Sequence, residues 1–233
     1  MTKFSKLVVS LGMGATFFGV TPNAFATAEL FLSDGNGHTA TISAVSCGGG
    51  CQTATFDGSL GDWNLNITTG TASPAESPVI DLNSIDHHNS SATASTLTLE
   101  WSDNGFAPAA QGFELNIGGT VGAHGTVTAA LYGGTTDTEF DLSNQIGTTM
   151  SFSNPPTSFS GEEAAFLSGL SATPYALTEV ATITFGEFAG QASFDFSADN
   201  DIPEPAAVLL LGTAMLVTAT IIRRKKRAAN QLS

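Results

Sequence analysis

Trp63-Asn64-Leu65-Asn66-Ile67-Thr68 sets apolar and polar residues in strict alternation, and Leu97-Thr98-Leu99-Glu100-Trp101 repeats the pattern further along. A β-strand turns successive side chains to opposite faces, so a period of two marks one face for a core and one for water. Phe113, Leu115 and Ile117 alternate with polar residues in the same way, as do Ala181, Ile183 and Phe185, and Phe194 and Phe196. Shorter candidates are Leu30 to Leu32, Thr39 to Val45, Thr53 to Phe56, Val79 to Leu82, Thr126 to Tyr132 and Thr148 to Phe152. Turn signals fall between or beside these runs at Asp34-Gly35-Asn36-Gly37, Asp57-Gly58, Asp103-Asn104-Gly105, Gly118-Gly119, Gly133-Gly134 and Pro155-Pro156. About ten short strands with short connections predict an all-β fold, an antiparallel two-sheet sandwich or jelly roll formed by residues 27–198 as one domain. Trp63, Trp101 and most of the 16 phenylalanines are expected in its core.

One stretch breaks the alternation. Ser160-Gly161-Glu162-Glu163 reads as a helix capping box, with Ser160 placed to accept from the Glu163 amide and both glutamates at the positive end of the dipole. It predicts one short helix, ending at Gly169 and packing Phe166 and Leu167 on the sandwich.

Charge is distributed unevenly. All 7 basic residues are Lys3, Lys6 and the five at 223–227, so Thr27 to Ile202 carries no Lys or Arg. Of the 21 carboxylates all but Glu204 lie in that segment, which makes it far more acidic than the whole-chain charge of −14. Such a surface has no cations with which to displace phosphate counterions, and nucleic acid is excluded as a partner. The carboxylates must be met by solvent, backbone donors, His or bound cations. Ca²⁺ is the one cofactor this balance invites, although no D-x-[DN]-x-[DN]-G loop is present and no metal ligands are assigned.

Cys47 and Cys51 flank three glycines, Gly48 to Gly50, and in an oxidising compartment they are expected to close a small disulfide loop. The spacing is neither the C-x-x-C redox motif nor a zinc site. Asp86-His87-His88 is the nearest approach to a catalytic cluster, but adjacent histidines on a strand face opposite ways, and a surface turn is the plainer reading. His38 and His124 read as loop histidines. No G-x-S-x-G elbow occurs, and no catalytic residue is assigned. Asn66-Ile67-Thr68 and Asn89-Ser90-Ser91 fit the glycosylation sequon.

The two ends carry addresses. Lys3 and Lys6, the apolar run Leu7 to Val20 and Ala24-Phe25-Ala26 compose a secretory signal peptide over 1–26, with cleavage by signal peptidase after Ala26. At the other end a linker over 199–205 holds Pro203-Glu204-Pro205, residues 206–222 carry no charge, and Arg223, Arg224, Lys225, Lys226 and Arg227 begin a basic tail over 223–233. Residues 206–222 would extend about 25 Å as a helix, the short end of a membrane span, with the cations holding the tail cytoplasmic. Motif, span and cluster in that order resemble the PEP-CTERM sorting signal, also called an ice-binding protein C-terminal domain, of exported proteins in Gram-negative bacteria. The resemblance implies recognition by exosortase at Pro203, Glu204 and Pro205, a membrane-held intermediate with its ectodomain periplasmic, and release or surface display in a setting of exopolysaccharide production.

These readings together predict an exported structural protein of the envelope or biofilm matrix, without evident catalysis. A cation-assisted glycan-binding module is the alternative, and a hydrolase the third.

Overall fold

The computed structural model describes residues 28–48, 50–70, 80–88, 93–106, 112–134, 136–166 and 174–200. Ala24 and Ala26 of the signal peptide, the sorting motif, the apolar span, the basic cluster and the Asn89 sequon lie outside them. The described residues form fourteen strands and no helix.

Twelve of the strands build two six-stranded antiparallel sheets. The first runs in the order β11 (Gln145–Ser153), β10 (Gly125–Gly133), β13 (Tyr175–Phe185), β8 (Ser95–Phe106), β1 (Glu29–Ser33), β2 (Thr39–Ser43). The second runs β12 (Ser158–Phe166), β9 (Gly112–Val121), β14 (Gly190–Asn200), β7 (Ile80–His88), β6 (Trp63–Thr69), β5 (Thr55–Leu60). The remaining two strands, β3 (Val45–Gly48) and β4 (Cys51–Thr53), form a separate hairpin.

Alternation produces the sandwich as expected. β6 is buried at Trp63, Leu65, Ile67 and Thr69 and exposed at the residues between, and the inward set of β8 is Leu97, Leu99 and Trp101. Both tryptophans are fully buried, and one apolar core joins the two sheets. Three turns that cross between the sheets meet at one end. There the Val121 amide donates to Thr157 O, the Gly122 amide to Gln191 O, and the Asn154 amide to Gly125 O, at 2.7, 2.7 and 3.1 Å.

The expected helix is a strand. Ser158 to Phe166 pair residue for residue with β9, from Ser158 opposite Thr120 to Phe166 opposite Gly112. The capping-box pattern is short, and isolated helix formation over so few residues is unfavourable, so a full ladder with a strong neighbouring strand wins. Ser160 and Glu162 turn outward, while Glu163 reaches across to β11 and accepts from the Thr148 amide at 3.0 Å and its hydroxyl at 2.9 Å. Phe166 is 67% exposed and does not pack on the sandwich.

Three of the turn signals also lie inside strands. Asp57-Gly58 is in β5, which turns at Gly61-Asp62 instead, and Gly118-Gly119 is in β9. Asp103-Asn104-Gly105 makes an irregularity in the β8–β13 ladder, with Gly105 at φ +81°. A side chain at Gly119 would meet Ser193 O at 2.1 Å, so this glycine serves the close approach of β9 and β14. At the C-terminal boundary β14 continues to Asn200, so Asp199 and Asn200, assigned to the linker, belong to the sheet opposite Glu114 and Phe113.

Candidate functional site: the outer face of the second sheet

The register of the second sheet decides which polar residues share a row. Ser160, Gly118, Asp195, Asn83, Thr68 and Thr55 form one row, one residue per strand from β12 to β5. The next row holds Glu162, Asn116, Ser197 and Asp81, and the one beyond it Ala164, Glu114 and Asp199. On the other side lie Ser158, Thr120, Ser193, Ile85, Asn66 and Asp57. Every one of these points away from the core, because their inward neighbours Ile117, Leu82, Phe194, Phe196 and Ile67 fill it.

Residue size turns this face into a groove. Gly118 contributes no side chain, and Ser160 and Ser197 contribute only hydroxymethyl groups, so the sheet is pitted where β12, β9 and β14 run side by side. The pit is an open groove of about 670 Å³ walled by Asn116, Glu162 and Asp195. A Cβ added at Gly118 would meet nothing nearer than Phe159 O at 4.0 Å, so the position opens into the groove without serving the backbone. A smaller hollow of about 180 Å³ lies across the sheet, among Asp57, Asn64, Asn66, Ile85 and His87.

Carboxylates dominate the electrostatics. Burial pushes the Asp81 carboxyl up to about 7, helped by its hydrogen bond with Asp195 and by the charges of Asp195 and Asp199. Two carboxyls can hydrogen-bond only if one holds the proton, and Asp81, the one raised, holds it at the groove's margin. Burial raises Asp199, and the Glu114 charge in the same row adds to it. Asn116 Nδ2 donates to Glu114 Oε1 at 3.4 Å, and Thr120 and Ser193 join hydroxyls at 2.9 Å. The face thus presents many acceptors, a few hydroxyl and amide donors, and no fixed cation. It suits a hydroxyl-rich or donor-rich ligand laid across the strands.

The sequence-singled residues are scattered. Asp86, His87 and His88 lie on β7, not in a turn, and alternate in, out, in. Asp86 is buried, accepts from Ser84 Oγ at 2.6 Å, and is pushed by burial to about 7. His88 is buried against Trp63 at 4.9 Å, with its Nδ1 3.2 Å from Phe188 O. His87 borders the small hollow. His124, at φ +62°, stacks on the half-exposed Phe188 at 4.2 Å. His38 lies 2.6 Å from Asp34. Burial alone would raise the Asp34 carboxyl, but His38 and the Asn36 and His38 amides together hold it below its ordinary value. Among the described residues no histidine meets a serine and a carboxylate in one cleft, and no three of His, Cys, Asp and Glu converge as metal ligands.

Cys47 and Cys51 are joined, their Cα atoms 5.3 Å apart, with Gly48 and Gly50 at φ +90° and +87° giving the hairpin the turn it needs.

The groove residues themselves were not legible as a site. Asn116, Ser160, Glu162, Asp195 and Ser197 each look like the wet half of a strand, and only the register assembles them. The available signal was Gly118 inside an otherwise strong strand pattern, which marks a place where backbone is left open.

No family model matches the chain, and no curated protein matches it either. Among solved structures it is similar to a carbohydrate-binding module of the β-sandwich superfamily with promiscuous specificity, at 14% identity over 72% of this chain and 83% of that one, with a TM-score of 0.33. It is also similar to the carbohydrate-binding module TmCBM61, solved with β-1,4-galactotriose, at 6% identity over 61% of this chain and 88% of that one, with a TM-score of 0.27. Neither carries a residue assignment across to this chain.

Proposed function

We propose that the protein is an exported, non-catalytic module of the envelope or extracellular matrix that binds polysaccharide along the outer face of its second sheet. The observation that carries this reading is the groove beside Gly118, pitted by short side chains and walled by amide and carboxylate acceptors. Sugar hydroxyls are strong donors, and polar groups fixed on rigid strands orient them better than loops do. Polar binding faces of this kind remain wet, with waters bridging the gaps. The signal peptide and the PEP-CTERM-like tail give the export half of the proposal: signal peptidase releases the body after Ala26, and exosortase processes the chain at Pro203-Glu204-Pro205.

Gly118→Phe tests the reading. It fills the groove from its floor, at an outward position where an added Cβ meets nothing nearer than Phe159 O at 4.0 Å. Retention of the protein on a panel of polysaccharides in affinity electrophoresis is expected to fall roughly tenfold or more, with the melting temperature nearly unchanged. Unaltered retention by a folded Gly118→Phe protein would remove the groove as the binding site. Mass spectrometry of the protein from cells tests export separately, through its two termini.

A further inference from the structure

We infer that this groove selects amino-sugar polymers, glycans carrying protonated free amines, over neutral and anionic polysaccharides. The inference rests on the polysaccharide-binding reading above and names its ligand class.

The first ground is what the groove lacks. Glu162 and Asp195 wall it, and Asp81 adjoins Asp195. No Lys or Arg exists between Thr27 and Ile202 to pair with any of them. A uronic or sulfated polymer would bring more negative charge to this face, and a neutral glycan would leave its charge unmet. An ammonium group supplies three donors and the missing sign at once.

The second ground is how the carboxylates are spaced. Among the described residues no three of them converge. Ca²⁺ needs six to eight oxygens gathered about one point, which dispersed acids do not offer. Glu162 and Asp195 stand two strands apart, with β9 between them, a separation on the order of 10 Å. Separate acceptors at such intervals fit a chain molecule that bears a cation on successive or alternate units. Asn116, Ser160 and Ser197, between the acids, are left for the ring hydroxyls.

The test is retention of the full-length protein, held in mild detergent at roughly physiological salt, on four immobilised polymers. They are a largely deacetylated poly-N-acetylglucosamine, its fully N-acetylated counterpart of equal length, a neutral β-glucan and a polyuronate. The expected order puts the deacetylated polymer at least about tenfold ahead of the acetylated one, with the polyuronate last. Glu162→Gln with Asp195→Asn should abolish that preference, whereas Asp141→Asn, on a loop of the first sheet, should not. Both groove changes are nearly isosteric and exposed, and Glu162→Gln alone serves if the pair fails to fold. Equal retention on the acetylated and deacetylated polymers overturns the amine preference and leaves polysaccharide binding standing. Absence of retention on all four overturns both. Free polylysine displacing the protein from the deacetylated polymer as well as soluble amino-sugar chains do would reduce the preference to bulk charge attraction and overturn it.

Discussion

The two outer faces of the sandwich come from the same alternating pattern and enclose the same core, yet their chemistry differs. On the first sheet, Thr39, Ser33, Thr98, Thr182, Thr128 and Ser151 form a complete cross-strand row, and Thr96, Thr184, Thr126 and Ser153 form the next. Hydroxyls both donate and accept, so they satisfy one another: Thr96 and Thr184 lie 3.3 Å apart, Thr126 and Ser153 3.0 Å. Ionised carboxylates only accept, and the second sheet gathers Asp57, Asp81, Glu114, Glu162, Asp195 and Asp199 on one side. The hydroxyl rows of the first face pair among themselves, whereas the carboxylates of the second need donors. The core leaves the outward half of each strand free to vary, and that half carries the difference in chemistry.

The largest expected effect comes from acids that lie outside those hydroxyl rows. Burial raises Asp81, Asp86 and Asp103 to about 7, and the fully buried Glu179 well above its ordinary value. Folded values above unfolded ones stabilise the fold fully below the unfolded carboxylate range and lose that contribution as pH rises through the folded values. Asp34 and Asp141 act in the opposite sense, with depressed values that matter only below the ordinary carboxylate range. The melting temperature should therefore fall between about pH 4.5 and about pH 8, by roughly 5 °C or more. Scanning calorimetry across that window decides it, and Glu179→Gln should flatten the slope. A profile that rises with pH would place these carboxyls in ionised, partnered states.

A middle-sized effect comes from moving charge between faces. Thr98→Asp with Thr182→Asp sets two like charges directly opposite on the first sheet, at a cost of about 1 kcal/mol read from denaturant melts. Because that row has no glycine to pit it, the transplant should not confer retention on amino-sugar polymers. If it does, acid alone suffices and the groove shape is irrelevant. The smallest effect belongs to Thr98→Val with Thr182→Val, which keeps the β-branched shape. Stability should stay within about 0.5 kcal/mol and polysaccharide retention should not change. Loss of retention in that variant would transfer the binding face to the first sheet.

Trp63 to Thr68 and Leu97 to Trp101 made the sandwich readable because alternation is a local property, and the core then had to lie on their apolar side. Ser160 to Phe166 was misread as a helix because a capping pattern is also local, while the ladder with β9 that overrides it is not. Asp103-Asn104-Gly105 shows the same limit: an Asp-Asn-Gly run marks a kink, but only the partner strand shows whether the chain reverses there or continues. The groove lay beyond reading altogether. Its floor, Gly118, and its walls, Glu162 and Asp195, come from strands far apart in the chain, and register cannot be read from any one of them.

The acidic outer strands carry one more consequence. β12 and β5, the open borders of the second sheet, are guarded by Glu162 and Asp57, since the folded body has no lysine to repel a neighbouring strand. Acidification that protonates Asp81, Asp86 and Asp103 also lowers the net negative charge that keeps copies apart, so light scattering should rise in the same mildly sour medium where single molecules resist heat best. Solubility and heat resistance then pull in opposite directions, and the pH of the surroundings sets whether copies stay apart or gather into a film.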